Sequence, residues 1–407
     1  MVIEFKVQID TGSTDLWVNP SAQKIQTTQE TDVVVSEVYG KGNVTGNVAF
    51  AQLEVGGFTV PNQAFLLPTD INDFEFDDGN AGIMGIAFDA TSNIEQELLN
   101  SPETFDLSGA TPIFNILSQN DVQSFFDIHL SRANDSDSAS SGTLFIGTHD
   151  DNFTNVAQQP KLPRVDPTHW TIAMDTMTVN GQSFTFNESS VPGLPNGKIA
   201  TVLDSGFSLP PLPPAAVDFI YKTIPGSVFV GDKIDSVQYI VPCTAMTNLS
   251  FTFGGVEFPI HYLDVAVVSN ITLPVNGTNT DITFCFNAYQ YLTLDPSEFQ
   301  GFDAILGDSF LRNAYVSFNY GAKIDEEGDG SFVQMMPTTD FDTALPDFQA
   351  SRQKTLAALP KEMAPTELVQ IFEQALKSGA SPSRALSMDG YLPLIIALVA
   401  GSALTSW

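Results

Sequence analysis

The sequence predicts an all-β protein built as two related lobes with a few short helices. Three observations lead there. Over the first 340 or so residues, short apolar–polar alternations are broken about every 8–12 residues by Gly, Pro, Asn or Asp, the rhythm of sandwiches and barrels. An internal repeat sets Asp10-Thr11-Gly12-Ser13 followed by Gly82-Ile83-Met84-Gly85 against Val202-Leu203-Asp204-Ser205-Gly206 followed by Ala304-Ile305-Leu306-Gly307. The length, 407 residues, exceeds one ordinary core and suits two.

The alternation is clearest in Val48-Ala49-Phe50-Ala51-Gln52-Leu53-Glu54-Val55, which a Gly56-Gly57 turn connects to Phe58-Thr59-Val60. Helices are predicted where Thr111-Pro112 opens Ile113–Leu117, and where Pro213-Pro214 opens Ala215–Tyr221, because proline suits the first helical position. The Pro-rich stretch 160–168 reads as a linker between a lobe over 1–159 and a lobe over 169–338. From 339 to 390 the composition turns to Ala, Lys, Glu, Ser and Pro and reads as a low-order stalk. Within it, Leu368–Leu376 has the spacing of a short amphipathic helix. The uncharged, apolar run 391–407 is short for a membrane span. It follows the small cluster Ser378-Gly379-Ala380-Ser381 by about ten residues, the layout of a lipid-anchor attachment signal. A simple anchor and a buried or disordered tail are the other readings.

There are 48 acidic residues against 16 basic ones, a formal charge of -32 at pH 7. Such a surface disfavours nucleic acid and anionic membrane, which need Lys and Arg. It also suits acid, where protonated carboxyls leave a base-poor chain with little positive self-repulsion. Seven Asn-x-Ser/Thr sites, at Asn43, Asn134, Asn152, Asn187, Asn248, Asn270 and Asn276, fit a chain that meets the secretory pathway. There Cys243 and Cys285 would persist as a disulfide; two free thiols are the alternative, since sequence alone does not pair them.

The repeated turns carry the chemistry. Each places a carboxylate at the end of an apolar strand, beside a hydroxyl and a glycine that admits close backbone approach. Two such carboxylates face to face cannot both ionise easily and share a proton. The pair can then hold a water, take its proton and protonate a departing amide nitrogen. No metal or cofactor is needed for this.

Several motifs in order resemble the pepsin-like aspartic peptidases over about residues 3 to 337. They are Asp10-Thr11-Gly12-Ser13-Thr14-Asp15-Leu16-Trp17-Val18, the flap-like Tyr39-Gly40-Lys41-Gly42-Asn43-Val44-Thr45-Gly46, Gly82–Ile86, Ala304–Arg312 and the two cysteines. The resemblance implies a bilobal fold and an endopeptidase acting on extended polypeptides, without cofactor, as a monomer, secreted or at the cell surface. It implies Asp10 and Asp204 as the catalytic pair, with Tyr39, Gly12, Gly206 and Lys41 toward substrate. Trp17 would hydrogen-bond Tyr39, Thr11 and Ser205 would interlock the two turns, and Ser13 would bond the outer oxygen of Asp10. Lys41 at the flap tip would favour acidic substrate side chains or be simply solvated, and a glycan on Asn43 would obstruct closure, so low occupancy is expected there.

Two features depart from the pattern. Phe207 stands where the family carries a hydroxyl to the second Asp, which would disfavour ionised Asp204 and move the active range upward; alternatively the ring lines a pocket and water or Ser208 compensates. The chain starts nine residues before Asp10, with no signal-peptide pattern and without the family's first strand, so an incomplete start or an open sheet edge is expected. The rival functions are a catalytically impaired peptide-binding protein and a cell-surface adhesion protein using the same fold.

Overall fold

The computed structural model describes residues 3–21, 23–40, 42–74, 80–105, 110–120, 122–132, 135, 141–234, 237–275, 278–292, 301–321, 330–377 and 395–397. The N-terminal lobe is built on β1 (Lys6–Asp10), β2 (Leu16–Val18), β3 (Gln29–Val38), β4 (Asn43–Val55), β5 (Phe58–Asn72) and β6 (Asn80–Gly85). They form one sheet in the order β1-β6-β2-β5-β4-β3. Helix α1 (Asn93–Asn100) is capped by the Ser92 hydroxyl, which accepts from the Glu95 N–H. Helix α2 (Pro112–Gln119) starts at Pro112 as the sequence predicts, and buries Ile113, Phe114, Ile116 and Leu117.

The C-terminal lobe repeats the central device of the first. In the N-terminal lobe β1 runs parallel to β6, with Asp10 opposite Gly85. In the C-terminal lobe Ile199–Leu203 runs parallel to Ala304–Leu306, with Leu203 opposite Leu306. The two apolar-apolar-Gly elements therefore lie beside the strands that carry the two Asp turns. Further sheets fill this lobe: Gln182–Phe184, Thr176–Val179, Leu249–Phe253 and Val256–Pro259 in one, and Val228–Ile234, Val237–Val241, Thr278–Asn287 and Ala266–Val275 in another. Helix α3 (Pro214–Tyr221) packs on them through Ala216, Val217, Ile220 and Tyr221, and the short helix α4 (Asp308–Leu311) follows Gly307.

A five-stranded sheet draws on both halves of the chain. It comprises β7 (Phe125–Ser131), β8 (Ser141–Ile146), Ala314–Asn319, Phe332–Pro337 and the two-residue strand Leu162–Pro163. The linker expected over 160–168 is thus tied down within this sheet, and its Arg164 guanidinium lies 3.7 Å from the Phe88 ring centroid. Phe88, Phe126, Trp170, Phe318 and Tyr320 form an aromatic core beneath it. Cys243 and Cys285 are joined as a disulfide closing a separation of 42 residues, which in the chain-entropy account contributes about 4 kcal/mol.

Two expectations are corrected. The low-order stalk is instead helical through residue 377. Helix α5 (Phe341–Ala358) is capped by the Asp340 carboxylate, which accepts from the Asp342 and Thr343 N–H groups, and buries Ala344 and Phe348 against Tyr262 and Leu263. Its Arg352 is buried and donates to Asp135 at 2.6 Å, to the Cys243 carbonyl at 2.8 Å and to the Ala266 carbonyl at 2.9 Å. Helix α6 (Pro365–Lys377), on the segment with amphipathic spacing, buries Leu368, Val369 and Phe372 against Ile240, Ile271 and Phe284. The edge of β1 is also not open: Ile395–Ala397 pairs with it antiparallel, Val7 opposite Ile396. An unpaired edge offers a row of backbone groups, and a short apolar segment satisfies them. The rest of 378–407 lies outside the described residues, as does the anchor expectation that falls on it. No helix among the described residues is long and apolar enough to cross a membrane.

Candidate active site

The two Asp turns meet between the lobes and are locked to each other. The Thr11 N–H donates to Ser205 Oγ at 3.1 Å, and the Ser205 N–H donates to Thr11 Oγ1 at 2.9 Å. The Thr11 hydroxyl donates onward to the Leu203 carbonyl and the Ser205 hydroxyl to the Ile9 carbonyl, each at 2.8 Å. All four groups are buried, so each turn satisfies polar groups of the other and neither holds its shape alone.

Asp10 and Asp204 occupy the floor of this interlock and are nearly buried, at 5% and 9% exposure. Asp10 Oδ1 accepts from the Gly12 N–H at 2.8 Å, and Oδ2 accepts from the Ser13 hydroxyl at 2.5 Å. Asp204 Oδ1 accepts from the Gly206 N–H at 2.7 Å. The glycines are required because each turn presses on the opposite carboxylate. A Cβ on Gly12 would lie 2.3 Å from Asp204 Oδ2, and one on Gly206 would lie 2.4 Å from Asp10 Oδ1.

Burial pushes the Asp204 carboxyl well above its ordinary range, and the Asp10 carboxylate, the hydrogen bond shared with it, and Asp308 push the same way; the Gly206 N–H opposes them. Asp204 is therefore the carboxyl that holds its proton more tightly than an ordinary aspartate. The two sides are not equivalent. Ser13 gives Asp10 a side-chain donor, whereas Phe207 can give Asp204 none. Ser208 does not compensate by a hydrogen bond to Asp204; its carbonyl accepts from the Ser309 hydroxyl at 3.3 Å.

The β3–β4 hairpin brings Tyr39 over the site. Its N–H donates to the Gly42 carbonyl at 3.1 Å, and its phenol oxygen accepts from Trp17 Nε1 at 2.9 Å. Phe74 packs edge-on to both rings, 5.3 Å from Trp17 and 5.4 Å from Tyr39 between centroids. Burial, and then the carboxylates of Glu37, Asp10 and Asp15, hold the phenol well above its ordinary range, so it stays neutral. Lys41 lies outside the described residues. Asn43, next to the hairpin tip, is half-buried, whereas Asn152, Asn187, Asn248 and Asn270 are exposed.

Beside this site is a second carboxyl pair that the sequence reading missed. Asp15 accepts from the Ser92 hydroxyl at 2.5 Å and from the N–H groups of Asn93 and Ile94 at 2.8 and 3.1 Å. Glu37 accepts from the Asn93 side chain at 2.8 Å. Burial, and then the charge of Asp15 beside it, raise Glu37 to about 8, so Glu37 keeps its proton at neutral pH; burial raises Asp15 as well. The signal was in the alternation of β3: Val33, Val35, Glu37 and Tyr39 share one face, and Glu37 puts a carboxyl on the inward side. Among the described residues no group of three or more His, Cys, Asp or Glu is arranged to hold a metal ion.

Comparison with known proteins agrees with this geometry. A family model described as eukaryotic aspartyl protease matches residues 3–324. Pepsin A of Rhinolophus ferrumequinum is 28% identical over 340 residues, covering 78% of this chain and 75% of the relative. Pepsin A of Bos taurus is 27% identical over 341 residues, covering 78% of each. Major aspartyl peptidase 1 of Cryptococcus neoformans is 24% identical over 340 residues, covering 78% of this chain and 64% of the relative.

Proposed function

Because the chain belongs to the eukaryotic aspartyl protease family, we propose that it is an aspartic endopeptidase that cuts extended polypeptides in acid, with Asp10 and Asp204 as its catalytic pair. The observation that carries the reading is the reciprocal interlock of Thr11 and Ser205, which holds two nearly buried carboxyls against each other, with Asp204 pushed well above its ordinary range. A water held between them gives its proton to the ionised carboxyl as its oxygen attacks the scissile carbonyl carbon. The protonated carboxyl then supplies the proton that the amine takes as it leaves. Gly12 and Gly206 offer backbone groups to the substrate strand, and Tyr39 closes over it with Trp17 fixing its phenol. Lys41 is kept as a flap residue that contacts substrate.

The disulfide and the exposed sequons at Asn152, Asn187, Asn248 and Asn270 support a secreted or cell-surface protein. A second reading, peptide binding without turnover, is favoured by one observation: Phe207 leaves Asp204 without the side-chain donor that Asp10 has. A statine-type peptide, which mimics the tetrahedral intermediate, separates the two. Binding at least about a hundredfold tighter than the matching substrate peptide supports the enzyme. Equal affinity for the two supports the binding protein.

A further inference from the structure

The position after the second Asp turn does more than omit a hydroxyl. The Phe207 ring is half-buried, its base packed on the cluster of Val202, Phe302 and Ile305 together with Leu292. Its backbone is pinned on both sides: the Phe207 N–H donates to the Asp204 carbonyl at 3.2 Å, and its own carbonyl accepts from the Asp308 N–H at 2.8 Å. Gly307 presses on the same peptide, since a Cβ there would lie 1.7 Å from the Phe207 carbonyl oxygen. A ring held by its base and its backbone has little freedom to swing aside.

The tip of that ring crosses to the other lobe. A Cβ on Gly40, next to Tyr39 in the flap, would lie 3.0 Å from Phe207 Cζ and 3.1 Å from Cε2. The ring that rises beside Asp204 therefore faces the flap so closely that a side chain at position 40 would be crowded, and Gly40 leaves that space free.

The geometry points to Phe207 as a specificity-determining residue, a bridge from the Asp204 turn to the flap that admits only a small side chain, Gly, Ala or Ser, at the subsite it occupies. This rests on the reading that the cleft takes an extended polypeptide. Side chains of such a strand alternate between the walls, so the bridge meets one substrate position and leaves its neighbours untouched. Excess volume against a packed wall has a steep cost, and even one methylene of mismatch changes selectivity by about 10-fold or more. The selectivity lies in the ring's reach, so a shorter apolar residue that keeps the packing below should abolish it.

The test is a set of statine-core hexapeptides in which each position flanking the core carries alanine or phenylalanine in turn. Their dissociation constants are measured at acid pH for the wild type, Phe207→Ala and Phe207→Leu. The leucine variant keeps the contacts with Val202, Phe302 and Ile305 if alanine unsettles the lobe. The expected result is a preference for alanine of about tenfold or more at one position of the wild type. That preference should disappear in both variants, with the other positions unchanged. An alanine-to-phenylalanine ratio that is the same in all three proteins at every position would overturn the assignment. Binding is read without turnover, so a protein that binds the set but cleaves nothing refutes the catalytic reading and leaves this result standing. Failure to bind any of the peptides overturns both.

Discussion

Glu37 should make the flap lobe lose stability as pH rises toward neutrality. Its carboxyl is held at about 8 against an ordinary 4.5. Below about 4.5 it is protonated whether the chain is folded or not, and its contribution is complete. Between the two values the unfolded chain releases the proton that the native state keeps, so stability falls as pH rises. Above about 8 both states are ionised and the slope ends. At about 1.4 kcal/mol per pH unit, the loss is at most about 3–4 kcal/mol by pH 7 and about 5 kcal/mol once both states are ionised. Asp89, raised to about 6 by burial, slopes the same way over a lower window. Glu37→Gln keeps a donor for Asp15 and an acceptor for the Asn93 side chain but cannot ionise. Urea denaturation at stepped pH, followed by tryptophan fluorescence, should show the wild type losing stability from pH 4.5 to 8 and the glutamine variant following a flatter curve. Two curves of the same slope would refute the reasoning.

Thr11→Ala removes a donor to the Leu203 carbonyl and an acceptor for the Ser205 N–H, both buried; the expected loss is about 1–3 kcal/mol in chemical denaturation, with a larger fall in kcat than in substrate affinity. Arg352→Ala leaves Asp135 buried without its ion pair and two carbonyls without a donor. It should cost about 3–5 kcal/mol and expose α5 to proteolysis before the rest of the lobe unfolds. Phe207→Thr offers Asp204 a hydroxyl worth about 1.5–3 kcal/mol to its ionised form, which should carry the alkaline limb of the pH–rate profile, where Asp204 loses its proton, down by about one to two pH units. An unchanged limb would mean that the threonine hydroxyl does not reach the carboxylate.

The two-lobed architecture was legible because its central device is written twice. An apolar strand ending in Asp-hydroxyl-Gly and a later apolar-apolar-Gly element are local patterns, and the sheet pairs them in both halves. The facing of the two Asp turns, their hydroxyl bonds and the Trp17–Tyr39 bond could be read from the same motifs and the family they resemble. What lies outside those motifs was harder to read. Glu37 and Asp15 stand 22 residues apart, as positions 37 and 15, and their coupling depends on α1 presenting Asn93 between them. Helix α5 has a weakly amphipathic sequence with Pro346 inside it, and gains its order from Arg352 reaching the disulfide loop. The pairing of Ile395–Ala397 with β1 joins opposite ends of the chain, a contact that apolar composition alone does not assign. The reach of Phe207 to Gly40 likewise appears only when the lobes face each other.

The central claim is that Asp10 and Asp204 act as one acid-range catalyst. Cleavage of denatured haemoglobin from about pH 2.5 to 6.5, by the wild type and by Asp10→Asn, tests it most directly. Cleavage by the wild type is expected in the acid part of that range, and its loss, by at least about a thousandfold, in a variant that folds normally. A folded wild type that cleaves nothing, or a variant that cleaves as well as the wild type, would contradict it.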